Sequence, residues 1–326
     1  MYMTRCIFDA FKIESFQPPY DTGIARIYYP AQYSGSTNEQ DTGLIPADES
    51  LAPYPVLILF HGMNTDSAGY RWLAEALAPL GIATVTYQLV SEATYGSRAV
   101  TPGIDLEALT PEKFGTAPSA QAAQPILEML ERLNSDSLLA GKLDLTRLAF
   151  GGHSAGGTLA LLNANQEWFP SLRAVFTYGA HTGVSTALGW PEETLLPFPP
   201  DLPLLLMGGE QDGCIAHSAR HYGDATPGAT ARIEQTFEKA VPQNNGNNTL
   251  LLFNEANHFA ICTPADETCG RGYIDTPTIS HHARESLGYV ICNFLQGFLC
   301  DEQDAFEMYR ALEKANRPYI SQLARK

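Results

Sequence analysis

Gly151-Gly152-His153-Ser154-Ala155-Gly156-Gly157 contains the pattern G-x-S-x-G and joins an apolar run, Leu148 to Gly152, to a helix-forming run, Thr158 to Asn163. A strand that turns sharply into a helix holds a serine between them in a crowded backbone. Only glycine-sized neighbours, here Gly152 and Gly156, let the main chain pass so closely. The serine hydroxyl then projects above the sheet near the helix N-terminus, so Ser154 is the candidate nucleophile.

Outward from this junction, short apolar runs alternate with helical patterns, which predicts an α/β fold with a mostly parallel central sheet flanked by helices on both faces. The expected strands are Ile24 to Tyr29, Val56 to Phe60, Ile82 to Gln88, Leu148 to Gly152, Ala174 to Tyr178, Leu204 to Met207 and Leu250 to Phe253. The central ones are apolar nearly throughout, as burial on two sides requires. Helices are expected over Ala68 to Leu80, with Asp66 or Ser67 as N-cap and Gly81 as the stop, over Ser119 to Leu133, where Pro125 kinks the helix or marks its start, and over Ser280 to Phe298. Residues 1–300 read as one domain, with 90–118 and 183–203 as candidate cap or cleft loops. Residues 301–326 read as a short amphipathic helix through Phe306, Tyr309 and Leu312, followed by a polar tail.

A hydroxyl is a weak nucleophile at neutral pH, so Ser154 needs a base and the base needs an orienting carboxylate. In the fold that such an elbow and a parallel sheet lead one to expect, these partners follow in chain order as serine, acid, histidine, each on a loop after a later strand. Leu204-Leu205-Leu206-Met207-Gly208-Gly209-Glu210-Gln211-Asp212-Gly213 supplies the acid at a strand end, with Asp212 preferred for its turn position and Glu210 as the alternative. Among eight histidines, His258 lies after the last expected strand and before the long helix, and is the expected base. His217, His221, His281 and His282 fit solvent-exposed patterns, and His181, after the strand Ala174 to Tyr178, lies near the cleft but too early in the order. An oxyanion needs two backbone N–H donors. Ala155 supplies one, and Met63, in His61-Gly62-Met63-Asn64 after the strand Val56 to Phe60, supplies the other. His61 and His153 read as local hydrogen-bonding groups at strand ends, and with Met63, Trp190 and Phe198 they make up the candidate substrate pocket.

These segments resemble the α/β-hydrolase superfamily from about Val56 to Phe298. Tyr54-Pro55-Val56-Leu57-Ile58-Leu59-Phe60-His61-Gly62, Gly152-His153-Ser154-Ala155-Gly156-Gly157 and Asn257-His258-Phe259 are most similar to the chlorophyllase, polyester-hydrolase and platelet-activating-factor acetylhydrolase group and to dienelactone-hydrolase-like proteins. Dienelactone hydrolases use a cysteine where this chain has Ser154, and plant chlorophyllases an arginine where it has Ala155. The resemblance implies a serine esterase that works without a cofactor, with chlorophyll as its most specific candidate substrate. The same triad also serves lipases, thioesterases and acyltransferases, and a non-catalytic binding protein of this fold is the alternative of another class.

The formal charge of −16 argues against a nucleic-acid surface and, with apolar cleft borders at Met63, Trp190, Leu195, Leu196 and Phe198, favours a neutral, largely apolar or lipid-like small-molecule ester. Met1 to Asp9 lacks the pattern of a secretory signal, so a cytoplasmic location is the expectation. The apolar runs are too short for a transmembrane helix. Of six cysteines, Cys262, Cys269, Cys292 and Cys300 cluster late in the chain. The 262/269 spacing fits a loop disulfide or two reduced thiols, and no zinc-like spacing is present.

Overall fold

The computed structural model describes residues 2–92, 97–223, 228–264, 274, 281–314 and 319–326. Its frame is a nine-stranded sheet built from β1 (Tyr2–Lys12), β2 (Thr22–Gln32), β3 (Tyr54–Phe60), β4 (Ala83–Gln88), β7 (Leu143–His153), β8 (Leu172–Tyr178), β9 (Leu204–Gly209), β10 (Asn248–Phe253) and β11 (Ile320–Arg325). The spatial order is β1-β2-β4-β3-β7-β8-β9-β10-β11. From β4 to β10 all neighbours are parallel; β1 and β2 on one side and β11 on the other are antiparallel additions. The remaining strands, β5 (Val90–Glu92) and β6 (Arg98–Val100), pair with each other as a separate hairpin in the expected 90–118 loop.

Strand side chains alternate between two cores. In β3, Val56, Ile58 and Phe60 join the core that includes α3 (Ala123–Ser135) and α4 (Ala155–Leu162), while Leu57 and Leu59 join the core under α2 (Arg71–Leu77) and α7 (His281–Leu299). All seven β3 residues are buried, which explains the unbroken apolar run. The helix signals match their chemistry. Asp66 accepts a hydrogen bond from the Ala68 N–H at 2.8 Å, and Gly81 ends that helical stretch with φ 76°. Pro125 sits in the first turn of α3, where its missing N–H removes no helical bond. Across α7, Ala283, Leu287, Val290, Ile291, Phe294 and Leu295 are fully buried.

Two ends of the chain differ from expectation. Residues 2–12 form β1, an edge strand whose mixed polar and apolar sequence carries little strand signal. The expected polar tail is β11, reached after α8 (Gln303–Arg310) and paired antiparallel with β10 from Thr249↔Arg325 to Phe253↔Ile320. An edge strand needs no apolar periodicity on its outer side, so composition alone reads it as a tail.

The chain runs from β3 to β4 on one side, then crosses to β7 on the other. That reversal opens a crevice at the carboxyl ends of β3 and β7, where open parallel sheets place their ligand sites. Ser154 follows β7 directly, and Met63 follows β3 by three residues.

Candidate active site

Ser154 occupies a backbone conformation rare for an L-residue, φ 55° and ψ −125°, between β7 and α4. Its N–H donates to the Tyr178 carbonyl of β8 at 3.0 Å, and its carbonyl accepts the Thr158 N–H of α4 at 3.0 Å, so both sides of the turn are pinned. The glycines are needed for distance. A Cβ on Gly152 would lie 2.4 Å from the Gly156 carbonyl oxygen, and one on Gly156 would lie 2.3 Å from that of Phe60. The elbow therefore packs backbone against backbone, with α4 resting on the end of β3.

Asp212 caps α5 (Gly213–Ser218), where its Oδ1 accepts the Ile215 N–H at 2.8 Å. Its Oδ2 lies 2.8 Å from His258 Nδ1. Asp212 is fully buried and His258 is 4% exposed, so the pair is held away from water. Because a carboxylate only accepts, Nδ1 carries the proton and Nε2 is the lone-pair nitrogen of the neutral ring. Glu210, the alternative acid, is exposed, and its N–H is spent on the Phe253 carbonyl at 3.0 Å. The loops after β9 and β10 are joined by the Gln211 N–H on the Ala256 carbonyl at 3.0 Å, and the Tyr178 hydroxyl holds the Asn257 carbonyl at 2.6 Å. Gly179, at φ 61°, passes beside the pair; a Cβ there would sit 3.0 Å from His258 Nδ1.

A second histidine braces this arrangement. His153 is fully buried, and its Nε2–H donates to the His258 carbonyl at 2.9 Å, which leaves Nδ1 to accept from the Tyr70 hydroxyl at 2.8 Å. Tyr70 in turn accepts the Gly62 N–H at 3.1 Å. The network thus links the loop before Met63, the residue before Ser154 and the backbone of His258. Burial, followed by the neighbouring His258 charge, pushes the His153 pKa well below the ordinary histidine range. It stays a neutral strut. His61 is also buried, donates from Nδ1 to the Gly62 carbonyl at 2.8 Å, and is pushed down to about 4 by burial.

Ser154, Ala155, His258 and Met63 line one cavity of about 690 Å³, together with Thr158, Gly179, His181, Ile215, Tyr222 and Phe259. Among the described residues the Met63 and Ala155 N–H groups meet no protein acceptor, and Ala155 is the first residue of α4. The expected pocket needs correction at four positions. His61 and His153 lie beneath the cavity as buried supports and do not line it. Trp190 bonds the Leu109 carbonyl at 2.7 Å and packs beside Leu109, Leu162, Val184 and Leu196, and Phe198 is in the sheet core. The 183–203 segment folds back through Gly183↔Leu195 and packs Val184 and Leu196 against Leu162 of α4, so that only Ser185 of this segment lines the cavity. In their place the wall includes Tyr222, which no sequence pattern marked, and His181, whose position just after a core strand already puts it near the cleft.

Cys262, Cys292 and Cys300 are free thiols, and burial pushes their pKa values up to about 12, 12 and 11. Cys269, and with it the 262/269 pairing, lies outside the described residues. Among the described residues no cluster of three His, Cys, Asp or Glu side chains could hold a metal, and no helix is long and apolar enough to cross a membrane. Comparison with known protein families and with curated proteins finds no match. The class that fold and site define is therefore an α/β protein with a mostly parallel nine-stranded sheet.

Proposed function

We propose that this protein is a serine hydrolase of the α/β-hydrolase fold that cleaves carboxylic esters, with Ser154 as nucleophile, His258 as general base and Asp212 as its orienting acid. The observation that carries the reading is the buried Asp212–His258 hydrogen bond of 2.8 Å beside a cavity shared with a serine at φ 55°. Serine oxygen attacks the ester carbonyl as its proton passes to His258 Nε2, and the Asp212 carboxylate stabilises the imidazolium so formed. The oxyanion is received by the Met63 and Ala155 N–H groups. Collapse expels the alcohol, which takes the proton from His258, and leaves an acyl group on Ser154. A water deprotonated by His258 then releases the acid and restores the serine.

A cavity of about 690 Å³ suits an ester of small to medium size, and the net charge of −16 favours a neutral one. The test is a screen of 4-nitrophenyl esters of graded chain length, run with a fluorophosphonate label. Wild type turns over the short and medium esters and labels at Ser154; Ser154→Ala does neither, losing more than about a hundredfold in kcat. Full activity in Ser154→Ala overturns the assignment. Chlorophyll a in mild detergent, followed by chromatography for chlorophyllide, tests the narrower chlorophyllase reading.

A further inference from the structure

The cavity that the apolar side chains of Met63 and Phe259 line also contains a histidine that the hydrolytic mechanism does not use. His181 follows β8 and is 4% exposed, yet it lines the cavity that holds Ser154. Three contacts fix it. The Gly183 N–H donates to its Nδ1 at 3.1 Å, its carbonyl accepts the Thr158 hydroxyl at 3.0 Å, and its ring stands edge-on to Tyr222 with centroids 4.6 Å apart and planes at 87°.

The first contact decides the chemistry. A backbone N–H can only donate, so Nδ1 is the acceptor and the proton of the neutral ring is on Nε2. The ring stays neutral because burial, followed by the positive charge of Arg232, pushes its pKa down to about 3. Among the described residues the hydrogen bond made by the His181 ring is the one at Nδ1. His181 Nε2 is not among the buried atoms that lack a partner, so its N–H is open to the cavity; a ligand acceptor takes it up, whereas a plain hydrocarbon displaces water from it and leaves it unpaired.

Resting on the ester-hydrolase reading, we propose that His181 Nε2–H is a substrate-binding donor, and that the preferred esters carry a second hydrogen-bond acceptor, an ether, keto or further ester oxygen, a few bonds from the scissile carbonyl. The apolar wall of Met63, Ile215 and Phe259 takes the hydrocarbon part, while the His181 wall reads the extra oxygen. The ring is not protonated at working pH, so it neither attracts a carboxylate as a cation nor acts as a base. It selects neutral acceptors.

Two variants separate donation from support. His181→Asn keeps an acceptor where Nδ1 receives the Gly183 N–H and moves the donor away from the Nε2 position to that of Cδ2; His181→Gln places an amide N–H near the position of Nε2. Each is assayed with 4-nitrophenyl pentanoate and with the esters in which one chain methylene is replaced by oxygen, 2-ethoxyacetate and 3-methoxypropanoate. The same replacement is made on the alcohol side of an aliphatic ester. The readout is the ratio of kcat/KM, oxygen-bearing over plain, because inductive activation of the carbonyl cancels between variants. The ratio should fall about tenfold in His181→Asn for at least one oxygen position, and stay within about threefold of wild type in His181→Gln. An unchanged ratio in His181→Asn at every position, with Ser154 still labelled by fluorophosphonate, overturns the His181 assignment and leaves the hydrolase standing. No turnover of any ester together with no labelling overturns the hydrolase reading, and this one with it.

Discussion

Ser154 is the residue at which sequence and physics agree most closely, because the glycines that frame it in the sequence are the ones whose missing Cβ atoms let the backbone pass. Its φ of 55° stores strain, which in a β-carbon-bearing residue costs on the order of 1–3 kcal/mol. Removing the hydroxyl does not relieve it, but removing the side chain does. Ser154→Gly is therefore expected to melt above Ser154→Ala, by about 2 °C or more for each kcal/mol released, with both variants inactive towards esters. Differential scanning calorimetry of the pair decides it, and an alanine variant that melts higher would contradict a strained elbow. The Asp212 preference over Glu210 was likewise legible, because the residue next to Gly213 could cap α5 while pointing its second oxygen at His258. The pocket was not. Trp190 and Phe198 are apolar residues near a cleft in sequence, and apolar residues are as readily drawn into cores as into binding walls.

At the scale of elements, four segments with no sequence relation meet on the Tyr70–His153 network: the loop after β3, the turn ahead of α2, the end of β7 and the loop after β10. Tyr70→Phe deletes one oxygen, leaves the Gly62 N–H buried without its partner and leaves His153 Nδ1 with the Cys262 thiol at 3.8 Å alone. An orphaned buried group costs roughly 1–3 kcal/mol, so the variant should lose about that much stability in urea titration. Gly62 precedes Met63, a proposed oxyanion donor, so kcat should fall by about tenfold or more while KM changes little. A kcat that matches wild type in a variant destabilised as expected would show that the network supports the fold without positioning the donor.

For the whole molecule, three fully or nearly buried histidines make stability depend on acid. His61, His153 and His181 are held neutral, with folded pKa values pushed down to about 4, well below the ordinary range, and about 3. In the unfolded chain each titrates near 6.5, so below that pH unfolding takes up protons that the folded state refuses. Their contribution is complete above about pH 6.5 and is lost as the pH falls, by about 1.4 kcal/mol per pH unit for each ring. Between pH 7 and pH 5 His61 and His181 remove about 4 kcal/mol and His153 acts in the same direction, a large share of the 5–15 kcal/mol by which domains are ordinarily stable. Most of the 36 Asp and Glu side chains remain ionised in this range, so relief of charge repulsion comes only at lower pH. Urea unfolding at pH 7 and pH 5 should show this loss; equal stability at the two values would mean that the rings are not buried neutral.

What the sequence determined by itself was local: a strand-to-helix elbow at Ser154, apolar strands buried on two sides, the helix stop at Gly81, and the chain order that singles out Asp212 and His258. The first three follow from interactions within a few residues or from a periodicity that burial imposes, and such signals survive in one dimension, whereas the chain order came from the expected fold. Tertiary structure decided the edges and the pocket. β1 and β11 owe their conformation to pairing with β2 and β10, and an edge strand exposed on one side has no periodic pattern to announce it. His181 faces the cavity because β8 ends beside α4, and Phe198 fills the core because the 183–203 segment folds back on itself. Those outcomes rest on contacts between residues far apart in the chain, for which spacing along the sequence carries no information.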